Sequence, residues 1–111
     1  MLQTIESHHF TDDDGNPAGG TTYGVGFTIG WQNGPLAEHM LTRGGVRLEP
    51  NGAFVEGVIA AAVDRIEFYQ STKFACDYNA QALVLLGEAL DKLQERTTAR
   101  EARGVEGTHA V

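Results

Sequence analysis

The sequence predicts an α+β fold: a small N-terminal antiparallel β-sheet packed with a C-terminal antiparallel helical hairpin. Three observations carry this. Before Pro50 the chain is rich in glycine, threonine and period-two alternation; after it, helix-forming residues dominate. Two stretches after Pro50 repeat apolar residues at spacings of three and four. Only a short break separates them. The 111 residues suit a single domain, and no linker, internal repeat or low-complexity tract divides them. The expected organisation is one domain over 1–111, with the sheet in 1–49, the hairpin in 50–104 and a tail at 105–111.

The first strand is expected from Thr4 to Phe10, followed by the turn formers Asp12-Asp13-Asp14-Gly15-Asn16-Pro17. Thr22 to Gln32 reads as one long strand. Tyr23, Val25, Phe27, Ile29 and Trp31 fall on one face, and Thr22, Gly24, Gly26, Thr28 and Gly30 on the other. The apolar face needs a cover. The bare face suits either a bent strand in a tight sheet contact or the close approach of a ligand. Asn33-Gly34-Pro35 ends this strand. A further short strand is expected around Met40 and Leu41, with Thr42-Arg43-Gly44-Gly45 as a turn.

Asn51, just after Pro50, is expected to cap the first helix. Val55, Val58, Ile59, Ala62, Val63, Ile66 and Tyr69 form its apolar stripe, which runs to about Gln70. Ser71 and Thr72 mark the break. The second helix should begin between Lys73 and Asn79, carry Leu83, Leu86, Leu90 and Leu93, and stop at Gly104. Two amphipathic helices so joined read as an antiparallel hairpin.

Composition excludes several function classes. At 41% hydrophobic and 21% charged, this is a foldable soluble chain. Fifteen acidic against eight basic side chains give a formal charge of -7, which excludes binding of a nucleic-acid polymer by overall basicity, since such domains have a pI above about 9. A single cysteine excludes a disulfide framework and a multi-cysteine metal site. The longest apolar run, Val58 to Val63, falls far short of the ~20 residues of a membrane span. The opening Met-Leu-Gln-Thr-Ile-Glu lacks a basic and then apolar leader, so no secretion signal is expected and a reducing intracellular compartment fits. A chain this small buries a modest core, so self-association is expected.

The sharpest chemical signal lies in the second helix. Lys92, Arg96, Arg100 and Arg103 gather four of the eight cations along one side of it. At about 100° per residue, Arg100 lies about 20° from Leu93 and Arg96 about 60° from it. Arginine thus continues the leucine seam. A guanidinium there requires an anion, because burying it alone costs several kcal/mol. That anion is either a carboxylate, with Glu95 and Glu101 close in sequence, or a phosphate held by the guanidinium forks.

Aromatic residues gather at the other end of the hairpin. Phe68 and Tyr69 close the first helix, while Phe74 and Tyr78 open the second. They either seal the hairpin core or stack on a base, which is worth roughly 1–3 kcal/mol. Asn79 beside them either reads a base edge or caps a turn. Arg96 and Arg100 lie 17 to 21 residues beyond Asn79, roughly 25–31 Å along a helix. No mononucleotide spans that distance. A site using both ends must draw them from two chains, as in a dimer whose hairpins pack head to tail.

Other patterns carry little. Gly24-Val25-Gly26 with Gly30 lacks the spacing and following helix of a dinucleotide fingerprint. Asp12-Asp13-Asp14-Gly15 lacks the alternation and closing glutamate of a calcium loop. His8, His9, His39 and His109 show no metal-ligand spacing, so neither a metal nor another cofactor is expected. Cys76 has no partner for nucleophilic chemistry and is expected to pack between the helices. Ser7 and Ser71 lack any nucleophile context. The residues point to a binder and not an enzyme.

Several segments together resemble a known family. These are Ile5-Glu6-Ser7-His8-His9-Phe10, Gly24-Val25-Gly26-Phe27-Thr28-Ile29-Gly30-Trp31-Gln32-Asn33-Gly34-Pro35-Leu36 and Glu49-Pro50-Asn51-Gly52-Ala53-Phe54-Val55-Glu56. They resemble small phage proteins of the first-described Thoeris anti-defence family. The ending Arg96-Thr97-Thr98-Ala99-Arg100-Glu101-Ala102-Arg103-Gly104-Val105-Glu106-Gly107-Thr108-His109 is similar to that family's tail and to the C-terminal hairpin shared with anti-CBASS sponges. Residues 37–48 match least.

The resemblance implies a molecular sponge acting in the cytoplasm of an infected bacterial host. Such a protein sequesters cyclic ADP-ribose isomers, such as glycocyclic ADP-ribose, without cleaving them. It also implies CBASS cyclic oligonucleotides as ligands of a separate site, and a dimer or a dimer-built hexamer. By the same resemblance, Tyr69 stacks on adenine, Asn79 contacts the ligand, Arg96 and Arg100 grip the pyrophosphate, and Arg43 is a further ligand-binding candidate. Two other readings remain at this level: a hydrolase of the nucleotide signal, and a structural or protein-binding phage protein whose arginine row docks an acidic partner.

Overall fold

A computed structural model describes residues 4–36, 49–106 and 108–111. The order of elements is β1 (Ile5–Thr11), β2 (Pro17–Gly24), β3 (Phe27–Asn33), α1 (Val55–Gln70) and α2 (Asp77–Ala102). The fold is α+β, with a three-stranded antiparallel sheet preceding two helices. The chain forms two compact units, Met1–Phe54 with Val105–Val111, and Val55–Gly104.

In the first unit the sheet is a meander in the order β1-β2-β3. Asp12 shapes the first turn: its Oδ1 accepts the N–H groups of Asp14 and Asn16, each at 2.9 Å. Hydrogen bonding from Asn16 holds the Asp12 carboxyl below its ordinary value. β2 begins at Pro17, five residues before the predicted Thr22. The Ala18-Gly19-Gly20 run conceals a strand because glycine has little strand propensity. Tertiary geometry demands it nonetheless: Gly20 has φ 140°, and a Cβ there would collide with the carbonyl of His8.

The predicted single strand over 22–32 is instead a hairpin. Gly24 pairs with Phe27 across Val25-Gly26, and Tyr23 pairs with Thr28. The reversal changes which residues share a face. Phe27, Ile29 and Trp31 lie with Thr22 and Ser7, whereas Tyr23 lies on the opposite face with Glu6. Thr22, 6% exposed, anchors the first face. Its Oγ1 accepts from Trp31 Nε1 at 2.8 Å and lies 2.9 Å from Ser7 Oγ. On the other face, Tyr23 Oη donates to Glu6 Oε2 at 2.6 Å, and His8 stacks beside the tyrosine ring with centroids 6.4 Å apart.

Asn51 does not cap the first helix. Its side chain closes the edge of β3, where Oδ1 accepts from Asn33 N–H at 2.7 Å and Nδ2 donates to the Asn33 carbonyl at 2.8 Å. Ala53 then forms a parallel bridge with Trp31. An asparagine side chain offers the same donor and acceptor to a strand edge as to a helix end, and here the edge takes it. The helix therefore starts at Val55. The short strand expected around Met40 and Leu41, and the Thr42-Arg43-Gly44-Gly45 turn, lie outside the described residues.

The second unit is the helical hairpin. α1 ends at Gln70 as expected, and α2 starts at Asp77, inside the predicted window. Gln70 shapes the connection: Cys76 N–H donates to its Oε1, and its Nε2 donates to the Cys76 carbonyl, both at 3.0 Å. Cys76 is exposed, not packed between the helices. Its Sγ accepts the Asn79 N–H and caps α2. Gly104, with φ 73°, follows the C-cap residue Arg103 and stops the helix.

Candidate functional site

The apolar stripes of the hairpin are half-covered. On α1, Val58, Ile59, Val63 and Ile66 are half-buried. On α2 the half-buried seam runs Asn79, Leu83, Leu86, Leu90, Leu93, Thr97 and Arg100, alternating spacings of four and three as one helical stripe requires. Neither helix has a fully buried residue. Thus Asn79 opens the seam beside the turn, and Arg100 closes it.

Arg96 lies off the seam and reaches across the hairpin. Its Nη2 stands 2.7 Å from Glu56 Oε1 in the first turn of α1. This is a carboxylate partner, but neither of the two the sequence suggested. Glu95 pairs with Lys92 at 2.9 Å. The Arg96 side chain remains 61% exposed, and a single contact from Nη2 leaves most of the guanidinium's five N–H donors for another acceptor. Glu56 is the partner that sequence reasoning missed. The signal was present, because an antiparallel hairpin brings the start of one helix beside the end of the next.

At the turn end, Tyr69 and Phe68 form a tilted pair with ring centroids 6.1 Å apart. Arg65 sits with them. Its Cζ lies 4.9 Å from the Phe68 centroid and 5.0 Å from the Tyr69 centroid, and its Nε donates to Tyr69 Oη at 3.2 Å. Sequence reasoning passed over Arg65, although it stands three and four residues before these rings. Phe74 and Tyr78 are 67% and 85% exposed, so they do not seal the hairpin core.

The structure therefore brings Tyr69 and Asn79 to one end of the hairpin and Arg96 to the other. Glu56 and Tyr69 are thirteen residues apart on a single helix, about 20 Å, so Arg96 and Tyr69 do not meet within one hairpin. Arg43 lies outside the described residues. Among the described residues no group of three His, Cys, Asp or Glu side chains is placed to hold a metal ion, and no helix is long and apolar enough to cross a membrane.

These features define a class: a small α+β protein whose helical hairpin carries rings at its turn end and guanidinium groups at its open end. No protein-family model matches the chain. It is 42% identical over 82 residues to Thoeris anti-defense 1 of Bacillus phage SBSphiJ7. The alignment covers 74% of this chain and 51% of that protein, so the chain spans about half the length of the curated relative it matches. That identity supports a place in the Thoeris anti-defence family.

Proposed function

We propose that the chain is a phage anti-defence sponge that binds cyclic ADP-ribose-type signalling nucleotides, glycocyclic ADP-ribose among them, and holds them uncleaved in the cytoplasm of the infected host. Thoeris defence is thereby blocked without catalysis. The single observation that carries the anti-defence role is the 42% identity to Thoeris anti-defense 1. The division of rings and guanidinium groups between opposite ends of one hairpin supports nucleotide binding by a dimer. Head-to-tail packing of two hairpins sets Tyr69 and Asn79 of one protomer against Arg96 and Arg100 of its partner. It also covers apolar surface, since Phe68 is 52% exposed and Leu85 64%.

In this arrangement Tyr69 stacks on the adenine, Asn79 contacts the ligand, and the two arginines grip the pyrophosphate. Arg43 is a further contact in the same proposal, and CBASS cyclic oligonucleotides are ligands of a separate site in a dimer or dimer-built hexamer. A sponge requires only affinity. Binding free energies of about -8 to -12 kcal/mol correspond to μM–nM dissociation constants. A base stack of roughly 1–3 kcal/mol and charged hydrogen bonds of about 1.5–3 kcal/mol each contribute on that scale.

The test incubates the protein with glycocyclic ADP-ribose, denatures it with heat, and analyses the released small molecule. The proposal predicts intact ligand in stoichiometric amount. Released hydrolysis product makes the protein an enzyme, and absence of bound ligand overturns nucleotide binding.

A further inference from the structure

Arg65 holds an unusual place on α1. Among the described residues it makes no ion pair with a carboxylate. Its contacts are the faces of two rings, at 4.9 and 5.0 Å from their centroids, and one hydroxyl. Both ring contacts lie inside the ~6 Å range of a cation–π interaction, and the spacings of three and four place all three side chains on one helix face. Tyr69 is thereby held twice, by a cation over its ring and by a hydrogen bond at its far tip. It keeps 38% of its surface exposed.

We infer that Arg65 is a positioning residue that fixes the Tyr69 ring for stacking against the base of a bound nucleotide. The inference rests on the base-stacking role proposed for Tyr69. An exposed tyrosine at a helix end samples several rotamers, and ordering such a side chain on binding costs about 0.5–1.5 kcal/mol, equivalent to roughly 2- to 10-fold in affinity. Arg65 removes that cost because the ring is already ordered before ligand arrives. The guanidinium lies over one side of the ring, so the proposal has the base stack on the other. Sequence spacing alone did not single out this residue, because its role depends on contact with the ring and not on contact with the ligand.

The experiment is a double-mutant cycle on the full chain, with glycocyclic ADP-ribose titrated by calorimetry. The variants are Arg65→Ala, Arg65→Lys, Tyr69→Leu and the Arg65→Ala/Tyr69→Leu pair. Alanine, lysine and leucine are all good helix formers, and circular dichroism checks that each variant keeps its helices. Arg65→Ala is expected to weaken binding roughly 2- to 10-fold. Arg65→Lys, which keeps a cation over the rings, should recover most of that loss. In the Tyr69→Leu background, Arg65→Ala should cost nothing further. Parent-like affinity of Arg65→Ala, with Tyr69→Leu weakened, overturns the role of Arg65 and leaves the stacking proposal standing. Equal losses in both backgrounds also overturn it, since they mean that Arg65 acts on the ligand independently of the ring. Parent-like affinity of Tyr69→Leu removes the stacking proposal and the role of Arg65 with it.

Discussion

Arg96 Nη2 and Glu56 Oε1, 2.7 Å apart, join the last part of one helix to the first turn of the other at the open end of the hairpin. The contact gives Arg96 an anion of its own. It is also weak enough to be shared, because exposed pairs of this kind contribute about 0.2–1 kcal/mol. The same guanidinium can therefore serve the hairpin in the free protein and a phosphate when ligand is present.

Arg96→Ala accordingly separates binding from folding. The variant should lose at most about 1 kcal/mol of stability, read from urea denaturation. Its affinity for glycocyclic ADP-ribose should fall roughly 10- to 100-fold, the equivalent of one charged hydrogen bond at about 1.5–3 kcal/mol. Arg100→Ala should show a similar loss of affinity. A variant that binds as tightly as the parent has no part in the site.

Gln70→Ala tests the turn. The Gln70 amide satisfies both backbone groups of Cys76, so its loss should destabilise the hairpin by about 0.5–1.5 kcal/mol for each bond removed. Hydrogen exchange should quicken first at Cys76 and Asn79. Unchanged exchange at Cys76 would show that the turn does not depend on the glutamine.

The sheet offers a pH-dependent readout. The hydrogen bond to Glu6 raises the Tyr23 pKa above its ordinary value of 10.0. A group whose folded pKa is raised stabilises the fold fully below its unfolded pKa and loses that contribution as pH rises through the folded value. The Tyr23–Glu6 contribution should therefore persist at neutral pH and fade above about pH 10. In Glu6→Ala, which removes the acceptor of that hydrogen bond, the Tyr23 titration followed by NMR should move back toward 10.0. An unmoved midpoint would show that Glu6 does not set it.

Gly20→Ala tests the concealed part of β2. At φ 140°, with the His8 carbonyl in the path of a Cβ, the substitution forces strain of about 1–3 kcal/mol. A lowered melting temperature is expected, while Gly30→Ala, with open space around its Cβ position, should be far milder. Equal melting temperatures for the two variants would contradict the register of β1 against β2.

The helices were legible because periodicity and terminators agree. The leucine spacing, the Ser71-Thr72 break and Gly104 all act locally, and α1, α2 and the antiparallel hairpin follow from them. The sheet was less legible. Gly19 and Gly20 lie in β2 for reasons of close approach, which no propensity records, and the Val25-Gly26 reversal hid inside an unbroken alternation. Asn51 looked like a cap because its chemistry suits a helix end and a strand edge equally. At the candidate site, the positions of Tyr69, Asn79, Arg96 and Arg100 along the hairpin could be reasoned from spacing. The Glu56 partner required knowing which helix ends meet, and the Arg65 contacts required side-chain geometry.

Subunit mixing tests most directly whether the site is assembled from two protomers. Tyr69→Leu and Arg96→Ala/Arg100→Ala chains, each carrying a different tag, are co-expressed and their mixed oligomers isolated through both tags. Each parent variant alone should bind glycocyclic ADP-ribose poorly. The mixed oligomer should recover tight binding at reduced capacity, because one of its sites draws intact rings from one chain and intact arginines from the other. Mixed oligomers that bind no better than either variant alone would contradict the two-chain site.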